Sequence, residues 1–392
     1  MRTTLPLIAR DSRTHHLVRR CTPVIAVASL GALSACGDGF TGPNTVPVPA
    51  RLQRAVDSIV AAYGAPGAIV SVRAKGGRSY RLTSGVADLD TKRGISASDH
   101  FRAASTTKAM VATLVLQLVD EKKIVLDAPI ANYLPGIVND ANVVTVRQLL
   151  NHTAGVPSYT DDPEFIASLY TDPAHVWTTA ELLAIANRLP REFAPGTPGK
   201  FAYSNTDYIV LGALVEKVTG STVARALQTR IFNRLGMTQS SYGVTTTLPI
   251  PFVQGYADVS DAQQNVAVGT VLTPTWGAAA GAVVSTVGDL ARFMEALASG
   301  ELVSASSHAA QLQLVADVRF RFPDDSFDSG YGLGTIVGNG WVGHNGAIPG
   351  YETEAYAKPG VGSLVVMVNR TTGNDASHAI FAAVRAAEFG NR

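Results

Sequence analysis

Strand-forming segments stand near both ends of this chain, and a long helix-patterned stretch with Pro-rich loops separates them. Strands cannot satisfy their backbone groups alone, so the end segments have to pair with one another across that stretch. At the front, Leu52, Val56, Ile59 and Val60 recur at helical spacing over 51–63, and Gly64 with Pro66-Gly67 stops the helix. Residues 68–74 and 79–87 read as two strands joined by Gly76-Gly77. An apolar helix follows from Ser105 to about Glu121. Residues 122–275 read as mostly helical, with loops near 157–163, 190–198 and 249–251. A helix is expected at 287–299, then strands at 331–337, 340–346, 351–357 and 363–369, and a last helix at 375–388 with Ile380, Val384 and Ala387 on one face. The expected fold is α/β in the α+β sense: an antiparallel sheet flanked by helices, built from 51–121 and 277–390, with an all-helical part, 122–276, inserted. A hydrophobic fraction of 46% against 16% charged residues suits a packed core of that size and argues against disorder.

The first fifty residues read differently. Arg10, Arg13, Arg19 and Arg20 precede an apolar run from Val24 to Leu33, too short to span a bilayer but suited to a secretory signal. The run ends in Leu33-Ser34-Ala35-Cys36, which resembles a bacterial lipobox. Residues 1–35 are thus expected to be a signal peptide of lipoprotein type. Cys36 is the expected lipid attachment site, and 36–50, rich in Gly and Pro, a flexible tether. The expected location is the cell envelope, with the exported chain held at a membrane surface by its lipid. Cys21 and Cys36 are the only cysteines, which excludes a disulfide scaffold and a Cys-rich zinc site. A net charge of +1 without a long basic stretch makes nucleic acid an unsuitable partner.

Three short elements carry candidate chemistry. In Ser105-Thr106-Thr107-Lys108, positions three apart share a helix face, so hydroxyl and amine can meet. A serine needs a base to become a nucleophile, and a lysine serves only if burial or nearby positive charge lowers its pKa. Lys108 begins an apolar helix (Met110, Val111, Leu114, Val115, Leu118), a setting that would desolvate it. In Tyr203-Ser204-Asn205, read as extended loop, the phenol could relay a proton and the Asn205 amide could hold a substrate carbonyl or orient Lys108. In His344-Asn345-Gly346, read as an edge strand, the glycine would admit a substrate backbone and the His344 side chain would face the same cleft. The N–H groups of Ala347 and Ser105 could form an oxyanion hole. There is no Gly-x-Ser-x-Gly, His-Glu-x-x-His or P-loop, and Gly338-x-Gly340-x-x-Gly343 leads into a strand, so its glycines read as turn residues. No cofactor or metal is implied.

In this order the elements resemble the serine β-lactamase and penicillin-binding-protein superfamily, and within it the branch of class C β-lactamases and D-alanyl-D-alanine carboxypeptidases. The context agrees: Phe101-Arg-Ala-Ala-Ser-Thr-Thr-Lys108, Leu149-Leu-Asn-His-Thr-Ala-Gly155, Phe201-Ala-Tyr-Ser-Asn-Thr206 and Gly343-His-Asn-Gly-Ala-Ile-Pro-Gly-Tyr351. The resemblance covers about 50–390. It implies a serine hydrolase in which Ser105 forms an acyl-enzyme, Lys108 and Tyr203 share the base and acid roles, Asn205 binds the acyl side chain, and His344 tunes Tyr203 or meets substrate. His152 carries over as part of a signature with a structural role, and Tyr159 and Tyr351 are candidates to wall the site.

His-Asn-Gly in place of Lys-Thr-Gly resembles the carboxypeptidases and D-aminopeptidases of the branch. With an envelope location, it puts D-alanyl-D-alanine carboxypeptidase action on peptidoglycan stem peptides first. An esterase or amidase, then a β-lactamase, come next, and a non-catalytic penicillin- or peptide-binding protein is the reading of another class. The expected partners are accordingly a peptide, ester or β-lactam substrate and, through Cys36, a membrane. One departure stands against the carboxypeptidase: 331–343 contains no Arg or Lys to grip a terminal carboxylate, which would leave Asn345 or a protonated His344.

Overall fold

A computed structural model describes residues 49–258, 264–316, 329–371 and 376–390. The expected signal peptide, Cys36 and all but the end of the tether lie outside these residues. Helix α1 (Ala50–Ala62) buries Leu52, Val56 and Val60 at helical spacing. Strands β1 (Gly67–Ala74) and β2 (Ser79–Gly85) follow, joined through Gly76 and Gly77, both at positive φ. The short β3 (Phe101–Arg102) leads into α2 (Thr106–Asp120). Next come α3 (Val146–Leu150), α4 (Pro163–Thr171), α5 (Thr179–Ala186), α6 (Asn205–Thr219), α7 (Val223–Leu227) and α8 (Asn233–Leu235). Short strands β4 (Ser241–Tyr242), β5 (Tyr256–Ala257) and β6 (Val266–Ala267) precede α9 (Ala278–Gly281), β7 (Val283–Ser285), α10 (Val287–Ser299) and α11 (Ala305–Leu312). The chain ends in β8 (Ser329–Tyr331), β9 (Ile336–Gly338), β10 (Trp341–Ile348), β11 (Tyr351–Lys358), β12 (Gly362–Val368), β13 (Arg370–Thr371) and α12 (Ala376–Phe389).

Among the described residues a seven-stranded sheet has the order β2-β1-β12-β11-β10-β9-β8, antiparallel throughout. The two ends of the described chain therefore meet inside this sheet, where β1 lies against β12 with Val70 opposite Val366. Side chains alternate between faces. Val70, Val72, Leu364, Val366 and Tyr356 pack with α1 and α12, whereas Ile69, Val365, Met367 and Ala355 join the larger core that includes α10. Helix α2 is buried on every side from Thr106 to Leu118, which fits its nearly continuous apolar sequence.

Three expectations need correction. The strand expected at 331–337 is two strands, because Gly332-Leu-Gly334 turns the chain, with Gly334 at φ +71°. The stretch 122–275 holds not only helices but also β4, β5 and β6, which form small sheets with β3 and β7 and with β13. Finally, β10 is an inner strand. Its pairing with β9 stops at Gly343, so His344–Ile348 run on beyond that neighbour. The nucleophile turn fills the space beside them: a Cβ on Gly346 would lie 2.8 Å from the Ala103 carbonyl oxygen and 3.0 Å from the Ser105 nitrogen. Gly346 is needed for this close packing, on a stretch of β10 that has no β9 partner.

Candidate active site

Ser105 is the N-cap of α2. Just before it, Ala104 adopts φ +53°, an uncommon conformation for a residue with a Cβ. The turn is held on both sides: the Ala103 N–H donates to the Val283 carbonyl at 2.8 Å, and the Thr106 hydroxyl donates to the Ala103 carbonyl at 2.8 Å. A strained turn fixed in this way aims the Ser105 hydroxyl into a cleft of about 520 Å³, a size suited to a small ligand.

Lys108 is fully buried. Its Nζ lies 3.0 Å from Ser105 Oγ, 2.8 Å from Asn205 Oδ1 and 2.9 Å from the Ala280 carbonyl oxygen. Burial holds its pKa well below the ordinary lysine range. The partner set then fixes its direction. Asn205 Oδ1 and the Ala280 carbonyl can only accept, so a neutral amine gives them its two hydrogens and turns its lone pair to the Ser105 O–H. The Tyr203 side chain is hydrogen-bonded to Ser105, while burial holds the phenol pKa above its usual range. Tyr203 is therefore an acid at neutral pH, and its ring sits 4.8 Å from Lys108 Nζ.

Asn205 is not on an extended loop but is the first residue of α6. Its carbonyl accepts from Lys108, and its amide nitrogen donates to Thr160 Oγ1 at 3.0 Å. Of the two roles read from the sequence, orienting Lys108 is the one this geometry expresses, although Asn205 also lines the cleft. Asn345, Gly346 and Ala347 line it as well. His344 does not. It is fully buried, its Nδ1 donates to the Asn345 carbonyl at 2.5 Å, and its Nε2 accepts from the Tyr331 hydroxyl at 2.9 Å. Burial lowers its pKa to about 3. The expectation that His344 faces the cleft and could meet a carboxylate as a cation is thus overturned: the ring lies behind Tyr203, with 6.3 Å between centroids. Tyr159 does wall the cleft, held by a 2.6 Å bond to the Trp276 carbonyl. Tyr351 instead packs inside, bonded to the Val253 carbonyl.

Several residues of the site escaped the sequence reading. Ala280 acts through a backbone carbonyl, which leaves no residue-type signal. Asp207 lies in the first turn of α6, hydrogen-bonded to His152 at 2.8 Å. Ser204-x-x-Asp207 has the spacing of a helix start, but Ser204 makes no side-chain cap, so the pattern is only a weak signal of α6. Glu352 and Glu354 alternate on β11 opposite Ala347 and Asn345, and both line the cleft. Glu354 accepts from His378 Nδ1 at 2.8 Å. Among the described cleft-lining residues there is no Arg or Lys. Among the described residues no group of His, Cys, Asp and Glu side chains is arranged to hold a metal ion.

Comparison with known proteins agrees with this architecture. The family described as Beta-lactamase matches residues 52–388. Penicillin-binding protein 4 of Amycolatopsis lactamdurans is 28% identical over 332 residues, covering 81% of this chain and 84% of that protein. Esterase EstB of Burkholderia gladioli is 31% identical over 227 residues, 55% of this chain and 56% of the esterase. Among solved structures, a D-stereospecific amidohydrolase from Streptomyces sp. superposes with a TM-score of 0.76 at 32% identity, covering 88% of this chain and all of that one.

Proposed function

Since the chain belongs to the Beta-lactamase family of serine hydrolases, we propose that it forms an acyl-enzyme on Ser105 and acts on small amides, aminoacyl amides of D configuration foremost. The observation that carries the chemistry is the buried Lys108 amine, whose two carbonyl acceptors leave its lone pair to Ser105. In this reading Lys108 takes the Ser105 proton as Oγ attacks the substrate carbonyl. The N–H groups of Ser105 and Ala347 receive the oxyanion. As the C–N bond breaks, Tyr203 gives its proton to the leaving amine, and Lys108, beside the Tyr203 ring, returns the proton it holds to the phenolate. Water then attacks the ester along the same route in reverse and releases the acid.

The substrate class follows from the charge of the cleft. Among the described lining residues Glu352 and Glu354 are accompanied by no Arg or Lys, and the imidazole of His378 is already paired with Glu354; such a lining favours a neutral or ammonium-bearing substrate over a terminal carboxylate. The likeness to the Streptomyces amidohydrolase supports the same choice. A carboxypeptidase acting on peptidoglycan stem peptides is the second reading, favoured by the likeness to penicillin-binding protein 4. Export and lipid anchoring at Cys36 belong to the proposal. The test is a panel of a D-aminoacyl amide, a D-alanyl-D-alanine peptide, a p-nitrophenyl ester and a labelled penicillin. The amide is expected to have the highest kcat/KM. A preference for the peptide would establish the carboxypeptidase, and no turnover with no label would leave only a binding protein.

A further inference from the structure

His152 and Asp207 are fully buried beneath the site, and nothing in the reaction above uses them. His152 adopts φ +59° and grips the segment that carries Tyr203 at two points. Its carbonyl accepts from the Ala202 N–H at 3.1 Å, and its Nδ1 accepts from the Ser204 N–H at 3.2 Å. Tyr203 sits between these two bonds with its ring over the imidazole, 4.4 Å between centroids. The rings of Tyr331, Tyr208 and Phe201 close the remaining sides at 5.0, 5.4 and 5.8 Å.

The same Nδ1 lies 2.8 Å from Asp207 Oδ2. An Nδ1 that faces the Ser204 N–H carries no proton, because two N–H groups would otherwise oppose each other. Its one lone pair is then shared between that N–H, the longer contact, and a proton on Asp207 Oδ2. The groups around the pair agree with a neutral acid. Lys108 from α2 and Arg191 from the loop after α5 are the basic groups that face Asp207; the Lys108 amine is held neutral by burial, and Arg191 is already paired with Asp140 at 3.0 Å. Tyr203, Tyr208 and Tyr331 face the pair as phenols, and His344 is neutral. The first turn of α6 would favour a carboxylate, but burial acts more strongly and raises the Asp207 pKa well above the ordinary value.

We propose that His152 and a protonated Asp207 form a neutral positioning pair that fixes Tyr203 against Ser105 and withholds a counter-ion from Lys108. The second effect matters as much as the first. A carboxylate at Asp207 would raise the Lys108 pKa and spoil it as a base. An acid at the same place holds the imidazole without that charge. The inference rests on the assignment of Ser105 and Lys108 only where activity is read.

The test compares the full wild-type chain with D207N and D207A. The infrared difference spectrum of wild type minus D207N, recorded at neutral pH, is expected to contain the carbonyl band of a protonated carboxyl group. Carboxylate bands alone would overturn the proposal, whatever the protein hydrolyses. Labelling of Ser105 by a fluorophosphonate probe gives the second readout. D207N, which can still donate one hydrogen bond to His152 Nδ1, is expected within about threefold of wild type, and D207A at least about tenfold slower. The acid limb of the labelling rate should not move in D207N, since no charge is lost. A shift of that limb to lower pH by about one unit would mean that Asp207 had been a carboxylate supporting Lys108, and would overturn the proposal. Wild type that takes up no label would count against the assignment of Ser105, not against the pair.

Discussion

Lys108 carries a cost that its chemistry explains. The unfolded chain holds a proton on this amine up to the ordinary lysine pKa, whereas the buried amine releases it at much lower pH. The unfolded state therefore binds more protons between the two values, and stability rises with pH across that window. At pH 7 the folded state carries the penalty, so Lys108→Met, which keeps most of the volume, is expected to be more stable than wild type by about 0.5–2 kcal/mol. It should also lose the pH-dependent gain in stability, as denaturant titrations at pH 7 and pH 10 would measure. The same variant should lose about 10²–10⁴-fold in hydrolysis, the usual loss of a general base. A variant less stable than wild type at pH 7 would mean that Lys108 is charged and well paired in the native protein.

At the scale of elements, the contact that sets the geometry is that of β10 against the turn leading into α2. Gly346 faces Ala103, Ala104 and Ser105 at distances no Cβ tolerates. Gly346→Ala should force the strand and the nucleophile turn apart, at about 1–3 kcal/mol in stability, with a larger fall in kcat than in KM. Thermal unfolding and steady-state kinetics would measure both, and unchanged kcat would show that the spacing is not critical. This contact also marks what the sequence could tell. The strands, α2 and α10 were legible because their apolar residues repeat with a period of two or nearly four, or run continuously. Ser105 and Lys108 were legible because three residues on a helix is a fixed distance. Tyr203 and Asn205 were recognised by resemblance, but their local structure was misread, since α6 starts with side chains spent on the site and Ser204 makes no side-chain cap. The orientation of His344 depends on which face of β10 meets Tyr331 and Tyr203, a matter of sheet packing that no short motif encodes.

Taken as a whole, the molecule builds its sheet from both chain ends and uses α2 as the shared centre. Helix α2 touches β10 on one side and α6 and α9 on the other. Gly212 lets α6 approach α9 closely, since a Cβ there would lie 2.6 Å from Ala279 Cβ, and this brings the Ala280 carbonyl to Lys108. Among the described residues no helix is long and apolar enough to cross a membrane. The proposed lipid at Cys36 can be tested directly. Cys36→Ser is expected to move the protein from the membrane to the soluble fraction of a cell lysate, because the acyl chains would supply most of the anchoring. An unchanged distribution would count against the lipobox. The central claim, that distant parts of the chain converge to make Ser105 a nucleophile, is tested most directly by trapping the acyl-enzyme. The protein is quenched in acid during turnover of a slow ester, digested, and its peptides weighed. The account predicts one acyl group, on the peptide containing Ser105, and neither adduct nor turnover in Ser105→Ala. An acyl group on another residue, or undiminished hydrolysis by Ser105→Ala, would contradict it.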